Sequence, residues 1–234
     1  MSAVGPVAGG GSLLVAWRLG GRRVVVVGGG PIAAERVRAV LGADGDVTLV
    51  APSAVAELRA RAARGELRWV PRRVREADLD GAEMVLVAVD DEAVGSWVSA
   101  GCRARRIPVS VADQPARCDF WFPAVLRDGP VQIAVSTGGN GPALARRLRD
   151  RIARALPADV GEAVQRFGAL RQAVRAVVPD ARRRMALLAD AAARTSWSRM
   201  ASLSVEDVLG QREVADPGRA RIRLVGAGPG TRSC

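Results

Sequence analysis

Short apolar runs alternate with longer amphipathic stretches over the first half of the chain. The run "RRVVVVGGG" is continuous, rich in β-branched residues and ends in glycines, which is typical of a strand buried on both faces. Ala33, Val37, Val40 and Leu41 then follow at helical spacing. This pattern predicts a strand followed by a helix near the amino terminus.

The same alternation continues to about residue 113. We predict strands in "DVTLVA", "LRWV", "AEMVLVAVDD" and "IPVSVAD", the last ending at Asp113. Helices are predicted in "PSAVAELRARAARG", with Ser53 near its start, and in "EAVGSWVSAGCRARR". Such a βαβ succession predicts an α/β fold with a Rossmann-like, doubly wound parallel sheet. Ligands of these sheets bind beyond the carboxyl ends of the strands, where Gly28 to Gly30, Asp90 and Asp113 fall.

Beyond Pro157 the apolar residues recur at three- and four-residue spacing, which predicts a small helical domain. "SVEDVLG" begins with Ser204 and Asp207 in the arrangement of a capping box and stops at Gly210.

Composition excludes several classes of protein. The chain has 234 residues, 49% of them hydrophobic, which is enough for a substantial core. No apolar run reaches the roughly 18 to 20 residues of a membrane span, and "MSAVGPVAGGGSLLVAW" lacks the features of a signal peptide, so we expect a cytoplasmic protein with no membrane partner. The odd number of cysteines, Cys102, Cys118 and Cys234, and the lack of histidine argue against structural zinc or a disulfide framework.

The net charge is +11, and every basic residue is arginine. A positive field favours acidic partners, although arginine codon usage also explains this composition. Aromatic residues make up only 3% of the chain and do not interleave with the arginines, so we expect no nucleic acid partner.

Glycines after the first strand carry the first candidate chemistry. Gly28, Gly30 and Ala33 match the G-x-G-x-x-G/A fingerprint of dinucleotide sites, in which the following helix offers its N–H groups to phosphates. The alternative is a glycine-rich turn that binds nothing. About twenty residues on, where an acid usually binds the ribose, no carboxylate is present, so the choice between NAD and NADP stays open. The predicted cofactor contacts are Gly28, Gly29, Gly30, Pro31, Ile32, Pro52, Ser53 and Asp90.

Because the chain has no histidine, a carboxylate in "SVADQPARCDFWFPA" is the candidate acid or base. Asp113 would lie at the mouth of the nucleotide cleft, where partial burial would raise the pKa of its carboxyl. The alternative is that Asp113 only forms an Asx turn ahead of Pro115. Asp119 fits a turn or cap better than catalysis.

The glycine turn, "VLVAVDD", "VSVADQPARCDFWFPA" and "VQIAVSTGGNGPALARRLRDRIARALP" together resemble the precorrin-2 dehydrogenase and sirohydrochlorin ferrochelatase family, over about residues 14 to 178. This resemblance implies NAD-dependent oxidation of precorrin-2 to sirohydrochlorin, followed in many members by insertion of ferrous iron as a substrate. It implies that Asp113 serves both steps, the second as a transient metal ligand. Ser110 to Ala112 depart from the commoner Asn-Val-Val pattern before this aspartate.

The resemblance also gives the positive charge a purpose, because the tetrapyrrole substrate carries many carboxylates. The predicted substrate contacts are Arg117, Ser136, Thr137, Arg146 and Arg149. "STGGNGPALARR" predicts a second turn before a helix that suits an anion; the alternative is a segment used for dimer packing. Members of the family form intertwined homodimers, and we expect one here.

These expectations divide the chain into an NAD-binding domain (1–123), a dimerisation segment (124–156), a helical domain (157–210) and a tail (211–234). In the tail, "RARIRLVGAGPGTRSC" has a strand pattern followed by a glycine-rich turn, and it resembles the start of a uroporphyrinogen methyltransferase domain. We expect the tail to be a disordered remnant without that activity; the alternative is a small added strand packed on the helical domain or on the dimer partner. Two other functions stay open at this stage, a dehydrogenase without chelatase activity and a dinucleotide-sensing module without catalysis.

Overall fold

The computed structural model of the protein describes residues 12–210, so the expected tail and Cys234 lie outside the described residues. The chain divides into two compact units. The first contains the described residues up to Ala124 together with Ala134–Arg149, and the second contains Val125–Ile133 and the described residues from Asp150 onward.

A five-stranded parallel sheet forms the centre of the first unit, in the order β3-β2-β1-β4-β5. The apolar runs predicted as strands form it because both faces of the sheet are covered. The doubly wound α/β prediction is therefore confirmed. The strands are β1 (Arg23–Val27), β2 (Asp46–Val50), β3 (Arg68–Val70), β4 (Met84–Val87) and β5 (Val109–Val111).

Three helices connect these strands: α1 (Pro31–Leu41), α2 (Ala56–Ala63) and α3 (Glu92–Ala104). Helix α1 packs on one face of the sheet through buried Ala33, Val37 and Val40, as its spacing predicts. Helix α3 packs on the other face, where burial raises the pKa of the Cys102 thiol to about 11. This thiol is therefore a buried, protonated core side chain at neutral pH.

Three predicted boundaries are wrong, and the first is the end of the strand predicted in "AEMVLVAVDD", because β4 ends at Val87. Helix α2 begins at Ala56 rather than near Ser53, because the chain bends at Pro52 and Ser53 and the N–H of Val55 donates to the Gly29 carbonyl at 2.8 Å. Strand β5 ends at Val111 rather than at Asp113, because the chain turns there and Asp113 takes a left-handed conformation with φ of 58°.

A second, two-stranded sheet contains β6 (Ala124–Asp128) and β7 (Val131–Val135). Helix α4 (Pro142–Ala155) follows the turn after β7, as the "STGGNGPALARR" motif predicts. Within residues 12–210, no helix has both the length and the apolar character needed to cross a bilayer.

The second unit is mainly helical, as predicted for the segment after Pro157. Its helices α5 (Val160–Val177), α6 (Ala181–Arg194), α7 (Trp197–Met200) and α8 (Val205–Gly210) enclose a small core that includes Leu170, Val174, Leu187, Ala191 and Val208.

Two capping contacts stabilise elements of this unit. The predicted capping box is present, since Ser204 N–H donates to Asp207 Oδ2 at 2.9 Å and Asp207 N–H donates to Ser204 Oγ at 3.1 Å. At the start of α5, the N–H of Gly161 donates to Asp128 Oδ2 at 2.9 Å. A Cβ on Gly161 would lie 2.5 Å from Asp128 Oδ1, so this close approach requires glycine.

Candidate functional site

Three loops meet at the carboxyl edge of the parallel sheet, and two glycines allow this. Gly28 has φ of 116°, and a Cβ there would overlap the carbonyl of Ala88, just after β4. A Cβ on Gly29 would overlap the carbonyl of Ser53, just after β2. These glycines are thus required by the protein's own backbone, which brings together the loops after β1, β2 and β4.

Gly30 differs, because a Cβ added there would meet nothing within 4 Å. It is the N-cap residue of α1, and Pro31 opens the helix with no side chain capping its first turn. Among residues 12–210, no acceptor is found for the N–H groups of Ile32 and Ala33. Open space at Gly30 beside free N–H groups and a positive helix end fits a dinucleotide pyrophosphate.

The other predicted cofactor contacts surround this turn. Pro52 and Ser53 are exposed at the end of β2. Asp90 and Asp91 follow β4, but they differ: Asp91 caps α3 by accepting from the N–H groups of Ala93 and Val94, whereas Asp90 is exposed and makes no such bond in the described part of the chain. Asp90 is therefore the carboxylate of the pair that a ligand can reach.

Asp113 lies two residues beyond β5, at the same edge of the sheet. The Ala112 N–H donates to the Val87 carbonyl at 2.8 Å, which joins this turn to the end of β4. The Asp113 side chain is exposed. Its carboxylate accepts no hydrogen bond from any described residue, so the proposed Asx turn is not formed there. The turn instead presents a free carboxylate.

Cys118 and Asp119 hold this turn from behind. The Cys118 thiol accepts from the Val111 N–H at 3.2 Å and donates to the Val111 carbonyl at 3.1 Å. Asp119 Oδ2 accepts from the Val109 N–H at 3.0 Å, and the Asp119 N–H donates back to Val109. Both side chains thus form hydrogen bonds with backbone groups at the open edge of β5, and these bonds fix the turn that carries Asp113.

The predicted substrate contacts are more scattered. Arg117 donates to Ser96 Oγ at 2.8 Å and lies 3.6 Å from Glu92, so its guanidinium is tied to α3.

The remaining predicted substrate contacts lie in and after the turn that follows β7. The side chains of Ser136 and Thr137 accept hydrogen bonds within that turn, from the N–H groups of Gly138 and Gly141 respectively. Arg146 is exposed and Arg149 half-buried on α4. No hydrogen bond described for these residues joins them to the glycine turn after β1.

Sequence reasoning missed a further cation at the sheet edge. Arg36 of α1 lies with its Cζ 4.3 Å above the ring of Phe122. Burial lowers the pKa of Arg36, while the negative charges of Glu35 and Asp113 oppose that shift. The available signal was spacing, since Arg36 falls one helical turn after Ala33 of the fingerprint.

A parallel sheet with an open glycine turn and uncapped N–H groups at its carboxyl edge defines a Rossmann-type, NAD(P)-binding α/β protein. Residues 15–124 match a family described as putative NAD(P)-binding. Residues 128–155 match the sirohaem biosynthesis protein central family, and residues 157–213 match the sirohaem biosynthesis protein C-terminal family. The chain belongs to the sirohaem biosynthesis family, as the resemblance in its motifs predicts.

Individual relatives support the assignment. The chain is 42% identical over 174 residues to "Siroheme biosynthesis protein met8" of Schizosaccharomyces pombe, covering 73% of this chain and 66% of the relative. It is 37% identical over 230 residues to "Siroheme synthase" of Thioalkalivibrio sulfidiphilus, covering 91% of this chain and 45% of that relative. A solved structure titled "SirC, precorrin-2 dehydrogenase" superimposes with a TM-score of 0.72 at 27% identity, covering 86% of this chain and 98% of that one. The chain spans about half the length of the siroheme synthases it matches.

Proposed function

We propose that this protein is an NAD-dependent precorrin-2 dehydrogenase that forms sirohydrochlorin. The observation that carries the proposal is the free, exposed carboxylate of Asp113 at the end of β5, on a turn hydrogen-bonded to the end of β4. The glycine turn after β1 packs against the residues that follow the same strand β4. A dinucleotide site and a candidate base therefore share one sheet edge, and the related structure is titled a precorrin-2 dehydrogenase.

The reaction removes a hydride and a proton from precorrin-2. The bound nicotinamide supplies the hydride acceptor. In the proposed mechanism, Asp113 accepts the proton, which is the role its free lone pairs permit. Gly30 and the first N–H groups of α1 hold the pyrophosphate and so orient the cofactor. The Cys118 contacts with Val111 limit movement of the turn that carries the base.

The same carboxylate supports a second proposed step, insertion of ferrous iron into sirohydrochlorin. Asp113 would bind the iron transiently and accept protons leaving the pyrrole nitrogens, because a carboxylate is a suitable hard ligand and base. Within the described residues, no group of three or more His, Cys, Asp or Glu side chains is placed to hold a metal ion. In the proposed step the ferrous iron is a substrate.

The remaining assignments are part of the same proposal. The cofactor contacts are Gly28, Gly29, Gly30, Pro31, Ile32, Pro52, Ser53 and Asp90, and the residues proposed for substrate carboxylates are Arg117, Ser136, Thr137, Arg146 and Arg149. We propose that residues 1–123 bind NAD, that 124–156 dimerise and that 157–210 form the helical domain. The homodimer and the cytoplasmic location remain predictions.

The test is an anaerobic spectrum of precorrin-2 with NAD and the purified protein, comparing Asp113→Asn with the wild type. Asparagine tolerates the φ of 58° and removes only the charge. Asp44→Asn is the matched control, since Asp44 is also exposed with φ of 58° but lies between α1 and β2. We expect Asp113→Asn to lose about a hundredfold or more in turnover with unchanged NAD affinity. Equal turnover in both variants would remove Asp113 from the mechanism.

Iron insertion is tested separately by adding sirohydrochlorin and ferrous iron without NAD. Formation of siroheme above the rate without protein, lost in Asp113→Asn, supports the bifunctional enzyme. Oxidation of precorrin-2 without iron insertion would leave a dehydrogenase alone. Binding of NAD with neither reaction would make the protein a dinucleotide-sensing module.

A further inference from the structure

Arg36 occupies an unusual environment among the arginines of the first unit. Its guanidinium is half-buried and lies over the face of Phe122, with Cζ 4.3 Å from the ring centroid. Phe122 packs against the core that α1 forms with the sheet, and its ring also contacts Phe120 at a centroid distance of 5.9 Å. The ring therefore contacts the guanidinium in a cation–π arrangement, and no described residue accepts a hydrogen bond from its N–H groups.

Neighbouring arginines are paired, but Arg36 is not. Arg38, on the same helix, lies 3.4 Å from Glu57 and donates to a backbone carbonyl. Arg22 pairs with Glu83. In the described residues, no carboxylate and no carbonyl accepts a hydrogen bond from Arg36, although burial has removed part of its hydration. A partly desolvated guanidinium without a hydrogen-bond acceptor costs stability, and an anionic ligand would supply that acceptor.

The position of Arg36 separates this anion from the cofactor phosphates. The pyrophosphate position is at Gly30 and the first turn of α1, whereas Arg36 lies one turn further along the helix. Its ring partner, Phe122, belongs to the segment that leaves β5 through Asp113. Arg36 therefore belongs to the side of the site where the proposed base lies.

We propose that Arg36 binds a carboxylate of the tetrapyrrole and so orients the ring system beside Asp113, with Phe122 fixing the plane of the guanidinium. This inference rests on the proposed function. Arginine suits the task because its N–H groups accommodate both oxygens of a carboxylate. A lysine in the same place would retain the charge but lose the two-point contact and the flat stacking on the ring.

The test measures binding rather than turnover. Anaerobic titrations with sirohydrochlorin, followed by its absorbance, and calorimetric titrations with NAD are compared for wild type, Arg36→Gln, Arg36→Lys and the control Arg38→Gln. We expect Arg36→Gln to weaken sirohydrochlorin binding roughly ten- to a hundredfold, the loss typical of a charge-assisted contact. The sirohydrochlorin affinity of Arg36→Lys should lie between those of the wild type and Arg36→Gln. NAD affinity should change less than about twofold in every variant.

Thermal unfolding separates binding from a structural role. If Arg36 serves a ligand, Arg36→Gln keeps or raises the unfolding temperature, because it removes an unpaired, partly buried charge. Loss of stability together with unchanged sirohydrochlorin affinity would overturn the proposal. If the wild type binds sirohydrochlorin through Arg36 but does not oxidise precorrin-2, the proposed dehydrogenase activity fails while the binding role stands. Absence of sirohydrochlorin binding in the wild type contradicts both.

Discussion

Two glycine-containing turns precede helices in the first unit, and they use their backbone amides in opposite ways. The turn of residues 28–30 leaves α1 without a side-chain cap, and Gly30 faces open space. In the turn of residues 136–141, Thr137 Oγ1 accepts from the Gly141 N–H at 3.2 Å and Ser136 Oγ accepts from the Gly138 N–H at 3.3 Å. The first turn keeps donors available to an anion, whereas the second satisfies part of its own donors.

This comparison shows why a glycine-rich turn before a helix is an ambiguous signal. Both turns match the composition expected of an anion site, and Gly28, Gly138 and Gly139 all have positive φ. The distinguishing feature is the nearby side chains. Serine and threonine can replace a ligand as acceptors for the free N–H groups, whereas the run Gly28 to Gly30 cannot.

The largest expected effect follows from Gly29→Ala. The new Cβ would overlap the Ser53 carbonyl, which is backbone and cannot move freely. We expect a loss of about 3 kcal/mol in the free energy of unfolding and the loss of measurable NAD binding. Urea denaturation and calorimetric titration check these outcomes. In Gly139→Ala, nothing lies within 4 Å of the new Cβ, so only backbone strain of about 1 to 2 kcal/mol is expected. Equal losses would show that the two turns are equally constrained.

Gly30→Asp should separate binding from stability. Gly30 has φ of −84° and ψ of −173°, which any residue adopts, and its Cβ position is open. Aspartate is a good N-cap, so we expect the free energy of unfolding to stay within about 0.5 kcal/mol or rise. NAD affinity should fall at least about a hundredfold because the carboxylate repels the pyrophosphate. Gly30→Ser is the uncharged control. Retained affinity in Gly30→Asp would place the cofactor elsewhere.

The smallest effect is expected from Thr137→Val. This change keeps the shape of the side chain but removes the acceptor for the Gly141 N–H, which should cost about 1 kcal/mol in the free energy of unfolding. NAD affinity should not change. Ser136→Ala, with the longer hydrogen bond, should cost less. Weaker sirohydrochlorin binding in Thr137→Val would support the proposed contact of Thr137 with a substrate carboxylate, whereas unchanged binding would remove Thr137 from the substrate site.

The parallel sheet could be predicted because its strands are continuous β-branched runs that only a sheet covered on both faces can bury. The residues at which helices and strands begin and end were harder to predict from the sequence. Ser53 looks like a helix start, but α2 starts at Ala56 because Val55 is hydrogen-bonded to the glycine turn, a contact between distant parts of the sequence. Asp113 was predicted to end a strand, and its left-handed φ depends on how Cys118 fastens the turn.

The candidate site divides in the same way. The fingerprint glycines and Asp113 were accessible because each follows a strand end, and parallel strands place such ends at one edge. The role of Arg36 could not be predicted, because it depends on contact with Phe122. That residue lies in a segment beyond β5 and reaches α1 only in the folded chain. The stretch Glu76–Leu79, which forms a 3-10 helix, and strand β6 carry no periodic pattern long enough to predict them.

The bond between Asp128 and the start of α5 has a consequence for folding during synthesis. The two residues are 33 positions apart, so Asp128 is made before its donor at Gly161 exists. At about 5 to 20 residues per second, the ribosome would take roughly 2 to 7 seconds to add the intervening chain. Throughout that interval the Asp128 carboxylate lacks the hydrogen bond from the Gly161 N–H. The helical unit can therefore close on its hairpin residues only after Gly161 has been made, when the parallel sheet has already been synthesised in full.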